Sequence, residues 1–502
     1  MFHITTPEEA VGLIKDGDRI GINAFLALAN PEALHDALTE KYSRDRSPGN
    51  LRLFCAAGFG MWDKNRYADP YIGAGAVTEI IAGHYASTPE AVRMAAENRL
   101  EAYNLPLGVL SHLLRAAASG KDGILSEVGL GTFVDPRVGR CGLNASSAQK
   151  LVSLLEIEGR EYLYYKAPKI DIAFIKGTTV DPNGNITFED EFLTVDALSL
   201  AQAAKANGGK VIVQVDKVSH IFPRPRNVIV PGILVDAVVV CENSGASRLM
   251  PALSGDIHVP STQMDYYMSK LSASGKRRST EDASPDIIGE RAAAELKAGQ
   301  IVNIGIGIPE RVGKYASERG ILRDITATVE AGGIGGLPAP GLAFGATIGA
   351  DMICDMASQF DFYDGGGLDI CFMGGLEADR YGNVNAHDVG RGFVGIGGFI
   401  NITNATKNII FCMTFRASGL VTRKNAGKIE IVSEGDIPKF KSGINAVSFS
   451  AQSALRRGQR VLYVTERCIF ELTAGGLRLA EVFDGIDAER DIKALLDFEL
   501  RE

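Results

Sequence analysis

The chain has 502 residues, 46% of them hydrophobic and 23% charged, with a formal net charge of −9. That is long for one hydrophobic core and ample for two, and it excludes the disordered and low-complexity classes. The negative balance argues against a nucleic-acid partner, because such binders carry a basic face that releases counterions.

The N-terminal stretch "MFHITTPEEAVGLIKDGD" has neither a basic region nor an apolar core of a secretory leader, so the protein is expected in the cytoplasm. The next signal is "LIKDGDRIGI" from residue 13, which resembles "ELKAGQIVNI" from residue 295. Relative to the second half, the first carries extra residues within 32–105, with additional helix in "TPEAVRMAAENRLEAYNLP". In "SEVGLGTFVDPR", Glu127 stands in a glycine-containing loop and is one of two candidate carboxylates.

An internal repeat organises the rest. "IDIAFIKGTTVDPNGNITF" from residue 170 matches "LDICFMGGLEADRYGNVNA" from residue 368 at a constant offset of 198, with seven identities in a fifteen-residue core. Both copies begin as buried strands and end in Asp, Gly and Asn, which form side-chain-capped turns. Strand-length apolar runs alternate with helical patterns such as "SLAQAAKANG" and "RAAAELKAG". The expected fold is α/β, with two related open domains from a duplication, each with a mostly parallel sheet. The polar stretch 272–286, with its Lys276, Arg277 and Arg278, is the expected linker between domains 1–271 and 287–502.

In the second copy, "IVNIGIGIPERVGKYASERG" runs from strand to helix through Gly305, Gly307 and Pro309. Two readings stand: a tightly packed βα turn, or a helix start that seats a phosphate or a charging thioester oxygen. The third glycine of a dinucleotide fingerprint is missing, and no P-loop motif occurs.

"TVEAGGIGGLPAPG" follows, placing Glu330 before five glycines and two prolines. A carboxylate with a reference pKa of about 4.3 is ionised near neutral pH and attacks without a partner base. Bare backbone on either side would admit a bulky thioester and offer N–H groups to an oxyanion. The alternative is a strand end facing solvent. Glu127 is the rival, but bulky and charged residues follow it, whereas only small or aliphatic residues and prolines follow Glu330. Residues 331–350 carry no charge, yet seven glycines and two prolines argue against a membrane helix. "GIGGFINIT" is either a packed turn or a source of N–H donors from Gly397 and Gly398.

The seven histidines show no metal-ligand spacing, so no metal site is expected. The seven cysteines are scattered and never spaced as CxxC, and they read as reduced core thiols. No serine sits in G-x-S-x-G, which weakens a hydrolase of the nucleophile-elbow type.

Taken together, "VNIGIGIP", "VEAGGIGGLPAPG", "GGLEADRYGNVNA" and "GIGGFINIT" resemble the family I coenzyme A-transferases, the acetate, propionate and 3-oxoacid group, with α and β parts fused in one chain. The resemblance implies an open fold shared with sugar-phosphate isomerases and transfer of CoA from a short-chain acyl-CoA to a small carboxylic acid. It implies that Glu330 forms a glutamyl-CoA thioester and that Gly305, Gly307 and Pro309 lie beside the CoA. It further implies no tightly bound cofactor, no membrane, and a homo-oligomer, dimer or tetramer. Leu107 stands where the family commonly has a glutamine of the oxyanion hole, so backbone donors would have to serve there. An acyl-CoA hydrolase on the same scaffold, a non-catalytic CoA binder and a sugar-phosphate isomerase are the alternatives.

Overall fold

The computed structural model describes residues 2–61, 65–241, 282–339, 341–390 and 392–501. One sheet contains β1 (His3–Thr5), β2 (Arg19–Ile22), β3 (Leu51–Cys55), β4 (Val77–Ala82), β5 (Glu101–Asn104), β6 (Ile172–Lys176), β7 (Lys210–Val215) and β8 (Ala237–Val240). Their spatial order is β1-β8-β7-β6-β2-β3-β4-β5, and every neighbouring pair is parallel. Both faces of the central strands are covered, which is why β6, β7 and β8 read as apolar runs instead of alternating. In β6, Ile172 and Phe174 enter one core while Ala173 and Ile175 enter the other. Helices α1 (Leu107–Ala118) and α2 (Ala197–Ala206) lie against each other on the second of these faces.

The second sheet contains β9 (Ile301–Ile304), β10 (Thr326–Thr328), β11 (Gly333–Ile334), β12 (Met352–Ile353), β13 (Ile370–Gly374), β14 (Asn408–Cys412), β15 (Arg460–Val464), β16 (Cys468–Thr473) and β17 (Gly476–Val482). Its order is β12-β11-β10-β9-β13-β14-β15-β16-β17. The central strands β10, β9, β13, β14 and β15 are parallel, and antiparallel strands extend both edges. Its helices include α3 (Ser284–Ala293), α4 (Glu310–Glu318), α5 (Met356–Asp364) and α6 (Phe399–Ala405).

The repeat has a direct physical counterpart. Asp171 Oδ2 accepts the Arg19 amide at 2.8 Å, and Asp369 Oδ2 accepts the Ile301 amide at 3.0 Å, so each carboxylate ties the start of one strand to its neighbour. The two D-x-x-G-N turns also coincide. Asp181 accepts the amides of Asn183 and Asn185, and Asp379 accepts those of Tyr381 and Asn383, all at 2.8–3.0 Å. The inserted stretch of the first half supplies β4, β5 and the helix Pro89–Ala96, where the second half has only short β11 and β12.

Helix α3 begins at Ser284, within the stretch 272–286, and its Ile288 and Ala292 enter the core of the second half. Residues 272–281, including Lys276, Arg277 and Arg278, lie outside the described residues. The described residues of the uncharged run 331–350 form short strands and turns, and no helix among the described residues is long and apolar enough to cross a membrane.

Candidate active site

The carboxyl ends of the two sheets face each other across a cavity of about 350 Å³. Phe25, Ala57, His84 and Leu107 reach it from just beyond β2, β3, β4 and β5. Gly305, Glu330, Gly374 and Cys412 reach it from β9, β10, β13 and β14. Ligands of open α/β sheets bind at this edge, because the strand ends leave a crevice there.

The halves are joined at the cavity rim by backbone. The Gly397 amide donates to the Gly83 carbonyl (2.8 Å), the Leu107 amide to Gly397 (2.9 Å) and the Tyr85 amide to Val394 (2.9 Å). Asn104 Oδ1 accepts the Ile396 amide (2.9 Å), and Asn401 Oδ1 accepts the Gly108 amide (3.1 Å) while Asp364 holds the Asn401 amide group. This stitching places "GIGGFI" beside Glu330. A Cβ on Gly398 would stand 3.5 Å from the Glu330 carboxyl carbon.

Glu330 follows β10 at the apex of a tight turn closed by Val329 N–H to Gly333 O (2.8 Å) and Gly332 N–H to Val329 O (3.0 Å). Gly332 has φ +118°, and a side chain there would collide with the Cys354 carbonyl. The expectation that bare backbone here admits a carrier is therefore corrected: Gly332, Gly333, Gly335 and Gly336 pack against their own chain, and none lines the cavity. The glycines that do line it are Gly305, Gly374, Gly375, Gly397 and Gly398.

A second correction concerns charge. Burial pushes the Glu330 pKa up to about 7, against the opposing pull of its own backbone amide and of Asn303, so near neutrality about half the acid is ionised. Behind it, Asn303 Nδ2 donates to the Thr328 carbonyl (3.3 Å) and Tyr363 Oη donates to Thr328 Oγ1 (2.9 Å), which fixes the end of β10.

The other anticipated residues divide. Gly305 lines the cavity, but its amide is spent on the Phe372 carbonyl (2.8 Å). Gly307 and Pro309 are outside the lining; the Gly307 amide already holds Glu310 Oε1 (3.0 Å), so that helix start carries a carboxylate of its own. Gly397 lines the cavity without a free N–H, which removes it as an oxyanion donor. Gly398 faces the carboxyl. Leu107 is 2% exposed and sits in the cavity wall, where an amide side chain would reach the site and leucine offers only apolar surface.

Glu127 lies elsewhere, paired with Arg160 at 2.8 Å. Nor is it the duplicate of Glu330. Arg19 pairs with Arg52 and Ile301 with Thr326, so counting four residues along each strand sets Ala56 opposite Glu330. Lys439 and Asn303 also line the cavity, and neither stood out in the sequence. Lys439 sits in "GDIPKFKSG", an ordinary polar loop pattern, while Asn303 is a lone polar residue in an apolar strand, which is a usable signal.

A family model described as coenzyme A transferase matches residues 4–241 and 286–415. The chain is 40% identical to the acetate CoA-transferase YdiF of Escherichia coli K12, covering 99% of this chain and 92% of that protein. It is 37% identical to the caffeate CoA-transferase of Acetobacterium woodii, over 99% and 94%. The crystal structure of the acyl-CoA transferase YdiF from E. coli O157:H7 in a thioester complex with CoA superposes with a TM-score of 0.88 at 37% identity, over 99% of this chain and 93% of that one. With its two duplicated α/β halves and the cavity between their strand ends, the chain belongs to the coenzyme A transferase family.

Proposed function

We propose that the chain moves CoA between a short-chain acyl-CoA and a free carboxylic acid of the acetate, propionate or 3-oxoacid type through Glu330. The observation that carries this reading is that Glu330 is the one carboxylate among the described residues lining the cavity. In the first half-reaction a Glu330 oxygen attacks the thioester carbonyl, the C–S bond breaks, and an acyl-glutamyl anhydride and CoA thiolate form. The thiolate then attacks the glutamyl carbonyl and expels the acid as its carboxylate, leaving glutamyl-CoA. The acceptor acid runs the same two steps in reverse, so the thioester bond energy is conserved. The apolar wall of Phe25, Leu107, Phe344, Met373 and Phe399 keeps water from the anhydride, which favours transfer over hydrolysis.

Incubation with acetyl-CoA or propionyl-CoA, without acceptor, should add one CoA to the intact mass, and borohydride reduction with peptide sequencing should locate it at Glu330. A CoA adduct at any other residue overturns the assignment.

The reading includes the division into 1–271, 272–286 and 287–502, with the active glutamate in the last part. A cytoplasmic setting fits the seven cysteines, all unpaired, five of them buried. A homo-oligomer fits the exposed apolar Ile221 (79%), Phe222 (60%) and Ile233 (88%), and light scattering would give its size.

A further inference from the structure

Among the described residues that line the cavity, four titrate: His84, Glu330, Cys412 and Lys439. Burial pushes His84 down to about 4, which leaves it neutral, and pushes the Cys412 thiol up. Lys439 is therefore the cation of the cavity. Burial lowers its ammonium only to about 8, with Glu466 and Glu377 opposing the shift.

The backbone of Lys439 is pinned. Its amide donates to the Phe415 carbonyl (3.3 Å), and its carbonyl accepts from the Ala378 amide (2.8 Å). Its ammonium makes no hydrogen bond or ion pair to a described residue. The two acids that act on it are committed elsewhere. Glu466 accepts from Arg467 (2.6 Å) and the Phe415 amide (2.8 Å), and Glu377 holds Lys441 and the Asn385 amide (3.0 Å). A partly buried ammonium with no direct ion pair among the described residues is costly, and apolar walls strengthen its attraction for any anion that enters.

The anion follows from the position. A cavity that contains Glu330 receives the sulfur end of CoA and the acyl group, whereas the CoA phosphates lie a pantetheine length further out. We propose that Lys439 binds a carboxylate of the acid substrate inside the Glu330 cavity and so determines which acids are accepted. This rests on the reading of Glu330 above. The carboxylate has two possible sources: the one that reacts, or a second one at the far end of a dicarboxylic acid.

The test uses the full-length protein loaded with CoA from acetyl-CoA, then discharged by increasing concentrations of acetate, propionate or succinate, or by neutral hydroxylamine. Lys439→Met is expected to raise the half-saturating acid concentration roughly tenfold to a hundredfold, the loss of one charge-assisted contact, with hydroxylamine discharge unchanged. Lys439→Arg keeps the charge and should stay within a few-fold of the parent, which also separates a missing charge from a damaged fold. An increase for all three acids assigns the reacting carboxylate, and an increase for succinate alone assigns the distal one. Unchanged saturation for every acid overturns the proposal, as does an equal loss with hydroxylamine. Loading of the unsubstituted protein reports on Glu330 alone, so a failure of that reading appears before any acid is added.

Discussion

The two halves share the order of their five central strands and two hydrogen-bonded signatures, yet they furnish the cavity between them differently. At the end of β6 stands Lys176, fully buried and paired with Glu191 (2.6 Å) and Asp216 (3.1 Å); its counterpart at the end of β13 is Gly374, which lines the cavity. Gln214 at the end of β7 accepts the Ala33 amide (2.9 Å), and its counterpart is Cys412. Ala56 takes the place of Glu330. Long polar side chains have thus closed the ends of β6 and β7, and small ones have kept the ends of β13 and β14 open. A duplicated scaffold supplies two equivalent edges, and side-chain volume at the strand ends decides which of them holds the open space of the shared cavity.

The strongest way to break this comparison is to move the carboxylate. The double variant Glu330→Ala, Ala56→Glu should form no CoA adduct and lose roughly 10⁴-fold or more in exchange, because residue 56 is buried against the Gly83 segment and lacks the glycine-lined space. An adduct at position 56, seen by intact mass and peptide mapping, would show that the closed half is still competent.

The ion cluster of the first half gives the next effect. Lys176→Met leaves Glu191 buried without its cation, and chemical denaturation should show a loss of about 3–5 kcal/mol. A change under 1 kcal/mol would mean that the cluster does not hold the closed edge.

The pH dependence sharpens the contrast from the open side. With a pKa of about 7, Glu330 is roughly a tenth ionised at pH 6, so single-turnover adduct formation should rise about tenfold from pH 6 to a plateau above pH 8. Stability runs the other way. A raised acid pKa costs nothing below the unfolded value of 4.5, costs more as pH rises towards 7, and is constant above it. Glu330→Gln should therefore gain stability over the parent by up to about 3 kcal/mol at pH 8, and the gain should vanish near pH 4. A stability difference that does not change between these pH values would remove burial as the cause of the shift.

Much of this was legible in the chain. The offset of 198 between "DIAF" and "DICF" exposes the duplication, because the buried strands and Asp-capped turns both depend on particular residue types at fixed spacing. Glu330 was legible for a reason the structure revises. Its glycines mark a turn folded onto Thr347, Ile348, Asp351 and Cys354, not an approach path, and a sequence carries the demand for glycine without saying which neighbour imposes it. Donor capacity was not legible: whether Gly305 or Gly397 has a free N–H depends on Phe372 and Gly83, which are far away in the chain. Lys439 was hidden for the same reason, since its place in the cavity wall, with no ion pair among the described residues, is a property of the packed site.

The smallest effect separates position in the chain from position in the fold. Glu127 lies 203 residues before Glu330 in a glycine-containing loop, and spacing alone makes it a plausible duplicate. Its carboxylate instead meets Arg160, whose side chain is 69% exposed, and comes within 3.9 Å of Arg457. Exposed pairs of this kind contribute about 0–1 kcal/mol. Glu127→Gln should accordingly leave the CoA adduct intact, keep exchange within about twofold, and lower stability by no more than about 1 kcal/mol. A collapse of exchange with adduct formation preserved would tie the first half's loop to acceptor turnover, and the closed half would then contribute to the chemistry beyond its wall of the cavity.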